Sequence, residues 1–105
     1  MKVLNAVSTT TTCDGCDVSK RQLITIQFIG TGVTTFTVDV SNDKTNWVTS
    51  VAFLDSKATA VGTFVTSKAV NNSTEAAIIT PGFAYIRVVA TVSTGTATAI
   101  LQAGG

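Results

Sequence analysis

Residues 36–47 constrain this chain more than any other stretch. Phe36, Val38 and Val40 alternate with Thr37, Asp39 and Ser41. At the two-residue period of a strand, this sets one apolar row against a core and one polar row toward water. Ser41, Asn42, Asp43 and Lys44 follow with side chains that bond their own backbone and accept left-handed dihedrals, so the chain can reverse before Trp47. The expectation is a hairpin with an aromatic anchor at its far side.

The same alternation recurs along the chain. Residues 2–8 form a short strand-like run. Ile24, Ile26 and Phe28 alternate with Thr25 and Gln27, and Gly30, Thr31 and Gly32 predict a turn into the Phe36 strand. Residues 47–55 read as a strand apolar on both sides, with Trp47, Val51 and Phe53 opposite Val48, Ala52 and Leu54. Residues 64–70 and 75–80 read as two short strands around a turn at Asn71, Asn72 and Ser73, and Pro81 with Gly82 predicts a type II corner. Ile86, Val88 and Ala90 point inward while Tyr85, Arg87 and Thr91 point outward. Ser93, Thr94 and Gly95 then predict a turn into residues 96–103, where Ala97, Ala99 and Leu101 face the core and leave room for a bulky neighbour. No stretch carries a helical period. About eight short strands at roughly ten-residue spacing predict an all-β fold, an antiparallel β-sandwich of jelly-roll-like form, with a closed barrel as the alternative.

A chain of 105 residues makes one domain. Within it, residues 1–17 form an N-terminal strand and Cys-containing arm, and residues 18–105 form the sandwich. Charged residues are 12% of the chain, about half the usual share of roughly 25%. Seven basic and six acidic residues leave a net charge of +1 with no basic stripe, which gives phosphate-backbone binding no footing. No apolar run approaches the ~20 residues of a membrane span, and the segment after Met1 lacks a signal peptide's apolar centre. Neither nucleic acid nor membrane is an expected partner, and synthesis in the cytoplasm without Sec-type export is expected. A Thr-rich, weakly charged exterior loses little solvation when another protein covers it, so self-assembly is expected beside the plainer reading of a monomeric sandwich. Thr9, Thr10, Thr11 and Thr12 form an extended polar arm that can close an edge of its own sheet or pair with a neighbour's.

Cys13 and Cys16 are the residues with obvious chemical potential. A Cys-x-x-Cys pair can be half a zinc site, a redox dithiol or a disulfide. The chain has no His and no second Cys pair, Asp14 and Asp17 complete a mixed site only weakly, and nothing nearby reads as a βαβ setting. A structural pair, bridged within the chain or between chains, is the leading reading, with inert thiols second. No cofactor or metal is expected. With no His and one Glu, Glu75, no general base with an orienting partner is evident, so no enzyme is expected. Asp39, Asp43 and Asp55 are expected on solvated faces or turns.

Three segments together carry a resemblance: Ser41-Asn42-Asp43 followed by Thr45-Asn46-Trp47, then residues 81–88 (PGFAYIRV), then residues 93–99 (STGTATA). This pattern, over residues 22–103, resembles the small β-sandwich modules of tailed-bacteriophage structural proteins. The arm before Val18 lies outside it. The resemblance implies a structural virion protein, most simply a capsid decoration or cement protein. Its implied partners are the major capsid protein and copies of itself, and its implied place is the capsid surface. Thr9 to Thr12, Trp47 and Tyr85 are then the candidate subunit contacts, and Cys13 and Cys16 a lock within or between chains. The alternatives are a tail-associated structural protein or a carbohydrate-binding or adhesion module using Trp47 and Tyr85, although a sugar platform generally needs two or three coplanar aromatics and both rings suit packing better.

Overall fold

Two long strands, β4 (Leu23–Ser41) and β8 (Tyr85–Gly104), pair antiparallel along their whole length. They belong to a computed structural model that describes residues 2–13, 15–18, 23–55, 64–79 and 83–104. The other strands are β1 (Lys2–Val7), β2 (Thr11–Thr12), β3 (Cys16–Asp17), β5 (Phe53–Asp55), β6 (Phe64–Val65) and β7 (Lys68–Ile79). All pairings are antiparallel, and one eight-stranded sheet runs β1-β8-β4-β7-β5-β6, with β2 and β3 also on the outer edge of β8. The fold is all-β, and its two layers come from one sheet folded over on itself.

The fold-over follows from distances along β4. Phe28 and Phe36 are eight residues apart on one strand, which at about 3.3 Å per residue would separate them by about 26 Å if the strand were straight. Their rings stack with centroids 4.5 Å apart, and Phe53 meets Phe28 edge-on at 6.0 Å. β4 therefore turns back between them. It does so at Gly30 and Gly32, and its neighbours turn beside it, β8 at Gly95 and β7 at Asn72. Gly32 and Gly95 face each other across the ladder at φ 85° and 79°, and Asn72 has φ 48°. Positive φ is open to glycine and tolerated by Asn. A Cβ on Gly95 would overlap the Thr31 carbonyl, and one on Gly30 the Val70 carbonyl, so the corner also requires close approach.

Side chains take over where the ladder breaks. Asn72 Oδ1 accepts the Gly32 N–H at 2.8 Å, Asn71 Oδ1 the Thr34 N–H at 3.3 Å, and Thr94 Oγ1 the Val33 N–H at 3.0 Å. Thr31 Oγ1 accepts the Thr96 N–H at 3.0 Å, and the buried Thr34 hydroxyl donates to the Val70 carbonyl. Among the described residues, every buried side-chain polar atom has a partner, as a fold with a bent ladder in its core requires.

The turns expected at Gly30–Gly32, at Asn71–Ser73 and at Ser93–Gly95 are thus bends inside continuous strands. In a hairpin, the two flanking segments pair with each other. Here residues 23–30 pair with β7 and β8, and so do residues 33–36. Residues 47–55 are strand only over β5, with Val48 held by an isolated bridge to Val40, because the preceding residues fold as a loop and Ser50 adopts φ 53°. The expected Pro81–Gly82 corner and the connection at residues 56–62 lie outside the described residues.

The inward rows match the alternation read from the sequence. Ile24, Ile26, Phe28, Phe36, Val38, Val40, Ile86, Val88, Ala90, Ala97, Ala99 and Leu101 are all buried. The N-terminal segment runs antiparallel along β8 from Lys2↔Ile100 to Asp17↔Tyr85, so the arm closes an edge of its own sheet. At the opposite side, Lys68 of β7 reaches Asp55 of β5 at 2.8 Å and Glu75 of β7 at 3.8 Å. All three sit opposite buried residues in their ladders (Phe36, Ala77 and Phe28). Asp55, expected on a solvated face or turn, is instead buried, opposite Ala77 and paired with Lys68. Its hydrogen bond holds the Lys68 ammonium above its usual pKa.

Candidate functional site

The candidate site grows from the loop that closes β4. Ser41, buried at the strand end, has its Oγ 2.6 Å from the Asn46 carbonyl and accepts the N–H groups of Asp43 and Lys44 at 3.2 and 3.0 Å. Asp43 Oδ1 accepts the N–H groups of Thr45 and Asn46 at 2.9 and 2.7 Å, and Oδ2 the Asn46 amide at 2.8 Å. These bonds, led by the Asn46 N–H, hold the exposed Asp43 carboxyl far below the usual carboxylate range. Lys44 takes the positive φ of 62° that completes the reversal. Asn42 Oδ1 accepts the Ala84 N–H at 3.1 Å, tying the loop to the start of β8. The reversal expected at residues 41–44 is present, built as a self-bonded Asx loop.

The loop lays Trp47 over the outer side of the layer formed by residues 34–41 and 85–94. The Arg87 guanidinium lies 4.3 Å from the Trp47 ring centroid, and Arg87 Nε donates to Asp39 Oδ2 at 2.8 Å. Asp39 Oδ1 also accepts the Ser50 N–H at 3.0 Å. Asp39 and Arg87 pair directly across the β4–β8 ladder on its outward side, which is why a solvated carboxylate was expected. Asp39 is instead 3% exposed, because Arg87, Ser50 and the incoming loop cover it. Nothing in a period-2 pattern reports a loop folding back over the outer row. The pairing of Asp39 with Arg87 was legible only as opposite charges on two outward rows.

Trp47 also rests on the arm: a Cβ on Gly15 would stand 2.8 Å from the Trp47 ring edge. Tyr85 is half-buried between Asp17 and Ser41 in the ladder, with Lys44 Nζ 5.9 Å from its ring centroid. The clasp thus gathers Trp47, Tyr85 and the Cys-containing segment, with a cation of the chain's own near each ring.

Cys13 and Cys16 are present as thiols. Cys13 is buried, donates its backbone N–H to the Val88 carbonyl at 3.0 Å, and receives the Val88 N–H on its sulfur at 3.0 Å. Cys16 is half-buried against the same core. Asp14, weighed as a ligand, lies outside the described residues. Among the described residues, no three His, Cys, Asp or Glu side chains gather into a metal-holding group, and no helix is long and apolar enough to cross a membrane. Of the Thr arm, Thr11 and Thr12 pair with Ala90 and Val89, Thr10 Oγ1 accepts the Val92 N–H at 3.3 Å, and Thr9 is exposed.

Among the described residues, no loop lies over the other outer side. Residues directly opposite in antiparallel pairs share a face, and pairing gives the row Phe64–Leu54–Ile78–Thr25–Gln102 beside the row Ala76–Gln27–Ile100–Lys2. Lys2, at the margin, carries the one charge in these two rows.

No family model matches the chain, and no curated protein matches its sequence. Solved structures do match its fold. The SPBc2 prophage-derived protein YomS superposes at a TM-score of 0.82 and 10% identity, over 98% of this chain and 88% of that one. PirA superposes at 0.50 and 12% identity, over 96% and 93%. Bacteriophage CBA120 tailspike protein 4 gives 0.44 over 15% of its enzymatically active domain, too low to establish a common fold. At such identities, the likeness to YomS establishes that the folded-over sheet is shared.

Proposed function

We propose that the chain is a structural component of a phage particle, specifically a decoration (cement) protein on the head surface that binds the major capsid protein and copies of itself. The observation that carries this reading is the fold shared with the prophage-derived protein YomS across nearly the whole chain. The neutral outer rows support it, since cementing spreads modest contacts over many copies and requires a rigid module with a face that is cheap to desolvate. The role requires no bond-making chemistry. Trp47 and Tyr85 hold the clasp that keeps the Cys-containing arm in place, and Thr9 to Thr12 present the arm at the sheet margin. Cys13 and Cys16 join this proposal as a covalent lock, intra- or inter-chain, that closes once the particle meets an oxidising medium.

The test is quantitative mass spectrometry on gradient-purified particles of the encoding phage. Copy numbers comparable to the major capsid protein are expected. A handful of copies per particle would place the chain in the tail, and its absence from washed particles would overturn the virion reading. Heating particles with and without reductant tests the lock, and identical disassembly temperatures reject it.

A further inference from the structure

One outer side of the sandwich is covered by the chain's own loop, and the other, on which no described loop lies, carries both a knob and a hollow. The knob is Phe64, 67% exposed. It stands opposite Leu54, which stands opposite Ile78. The hollow is a depression of about 300 Å³ on the same side, walled by Thr25, Gln27, Ala76 and Ile100. An apolar cavity of ~150 Å³ holds a benzene molecule, so a phenylalanine side chain fits the larger depression. Glu75 also lines it, although it stands opposite the buried Phe28 in the ladder and its carboxylate lies 3.8 Å from Lys68 Nζ.

We propose that this face pairs with the same face of a second copy, Phe64 of each protomer entering the other's depression. Three features select a second copy as the occupant. First, the Phe64 row is uncharged, and Lys2 stands at the outer margin of the neighbouring row. A nucleic acid, an anionic membrane or a charged protein finds nothing there to hold, whereas an identical neutral face meets it without repulsion. Second, knob and hollow lie on one surface, about 14 Å apart by strand spacing. A single two-fold axis in the interface plane, crossing the line between them at its midpoint beside Ile78, satisfies both contacts at once, as an isologous interface demands. Third, the face spans roughly 500 Å² per copy in projection, about 1,000 Å² in the pair, near the lower bound of a specific interface, so a dimer of micromolar dissociation constant is expected. The dimer stands apart from the virion reading: a protein found on particles but monomeric in solution overturns only the dimer.

The experiment is sedimentation velocity on the full chain from about 1 to 500 μM, where a 10.8 kDa monomer and its dimer are resolved. The wild type is expected to shift to dimer across this range. Phe64→Lys and Gln27→Glu, both at exposed positions, should each weaken it, Phe64→Lys by roughly a thousand-fold because the knob is used twice. Mixing the two variants should restore a heterodimer, since the lysine knob then meets the glutamate hollow while the second contact stays wild type. Val48→Asp, also exposed but outside the paired rows, should dimerise as the wild type does. A wild type that stays monomeric at 500 μM, a dimer indifferent to Phe64→Lys, or variants that fail to recover on mixing would overturn the proposal.

Discussion

Gly95→Ala probes the corner on which the two-layer structure depends. Gly95 has φ 79°, and a Cβ there would overlap the carbonyl of Thr31 on the paired strand, a backbone group with little room to move. The left-handed conformation costs an alanine about 1–2 kcal/mol, and forcing the backbones apart adds about 1–3 kcal/mol. Stiffening of the unfolded chain returns at most about 1 kcal/mol. The net is a loss of about 3 kcal/mol, or about 12–20 °C in Tm for a domain of this size. Urea unfolding followed by circular dichroism should show a lower midpoint at unchanged m. Two controls bracket the result. Ser93→Ala, on the exposed strand two residues earlier, should stay within about 0.5 kcal/mol. Gly15→Ala, which meets the edge of the Trp47 side chain and not backbone, should cost about 1 kcal/mol or less. Were residues 93–95 a free hairpin turn, Gly95→Ala would lose only the dihedral contribution. A Tm within about 3 °C of the parent would refute the corner.

Asp39→Ala should cost about 2 kcal/mol, because it strands Arg87 and the Ser50 N–H while Arg87 remains partly solvated. A double-mutant cycle with Arg87→Met should show coupling, and additive losses would show that the pair does not act as a clasp. Asp43 titrates below the usual carboxylate range, so its contribution to stability is complete above about pH 4 and is lost as pH falls through its lowered folded pKa. NMR titration should find its midpoint below the ordinary aspartate value, and Asp43→Asn should flatten stability against pH in that acid window; an ordinary midpoint would refute the loop's hydrogen-bond account. In the native protein a thiol reagent should modify half-buried Cys16 well before buried Cys13, and equal rates would contradict the placement of Cys13 against Val88.

What the sequence made legible was local. The inward rows around Phe36, Ile86 and Ala97 could be read because period-2 alternation records which side of a strand is buried, and the Asx loop at Ser41–Asn46 because its residue types bond their own backbone. The corner was not legible. Gly32, Asn72 and Gly95 supply the small size and positive φ that a hairpin turn also needs, so the composition of a bend inside a strand matches that of a turn between strands. Only pairing partners separate them, and those lie up to 81 residues away, as Leu23 and Gly104 do. Asp39 and Asp55 were misplaced for a related reason: a strand pattern assigns a residue to a side but does not say whether a loop or an edge cluster covers it. Trp47 was recognised as an anchor, yet its partners Arg87 and Gly15 come from segments that nothing nearby in the chain announces.

The distribution of charge bears on the proposed pairing of the neutral face. A chain with so few ionised groups can gather them where geometry needs them. Asp39 with Arg87 clasps the loop onto one outer side, Asp43 and Lys44 build that loop, and Lys68 of β7 pairs with Asp55 of β5 and with Glu75. The rows through Phe64 and Gln27 hold no such group apart from Lys2 at their margin. In the proposed dimer, those ionised groups are engaged within the chain while the neutral, shaped face remains open to association. Under that proposal, the exposed Phe64 belongs to a surface that a second copy completes and is not a core residue the fold failed to bury.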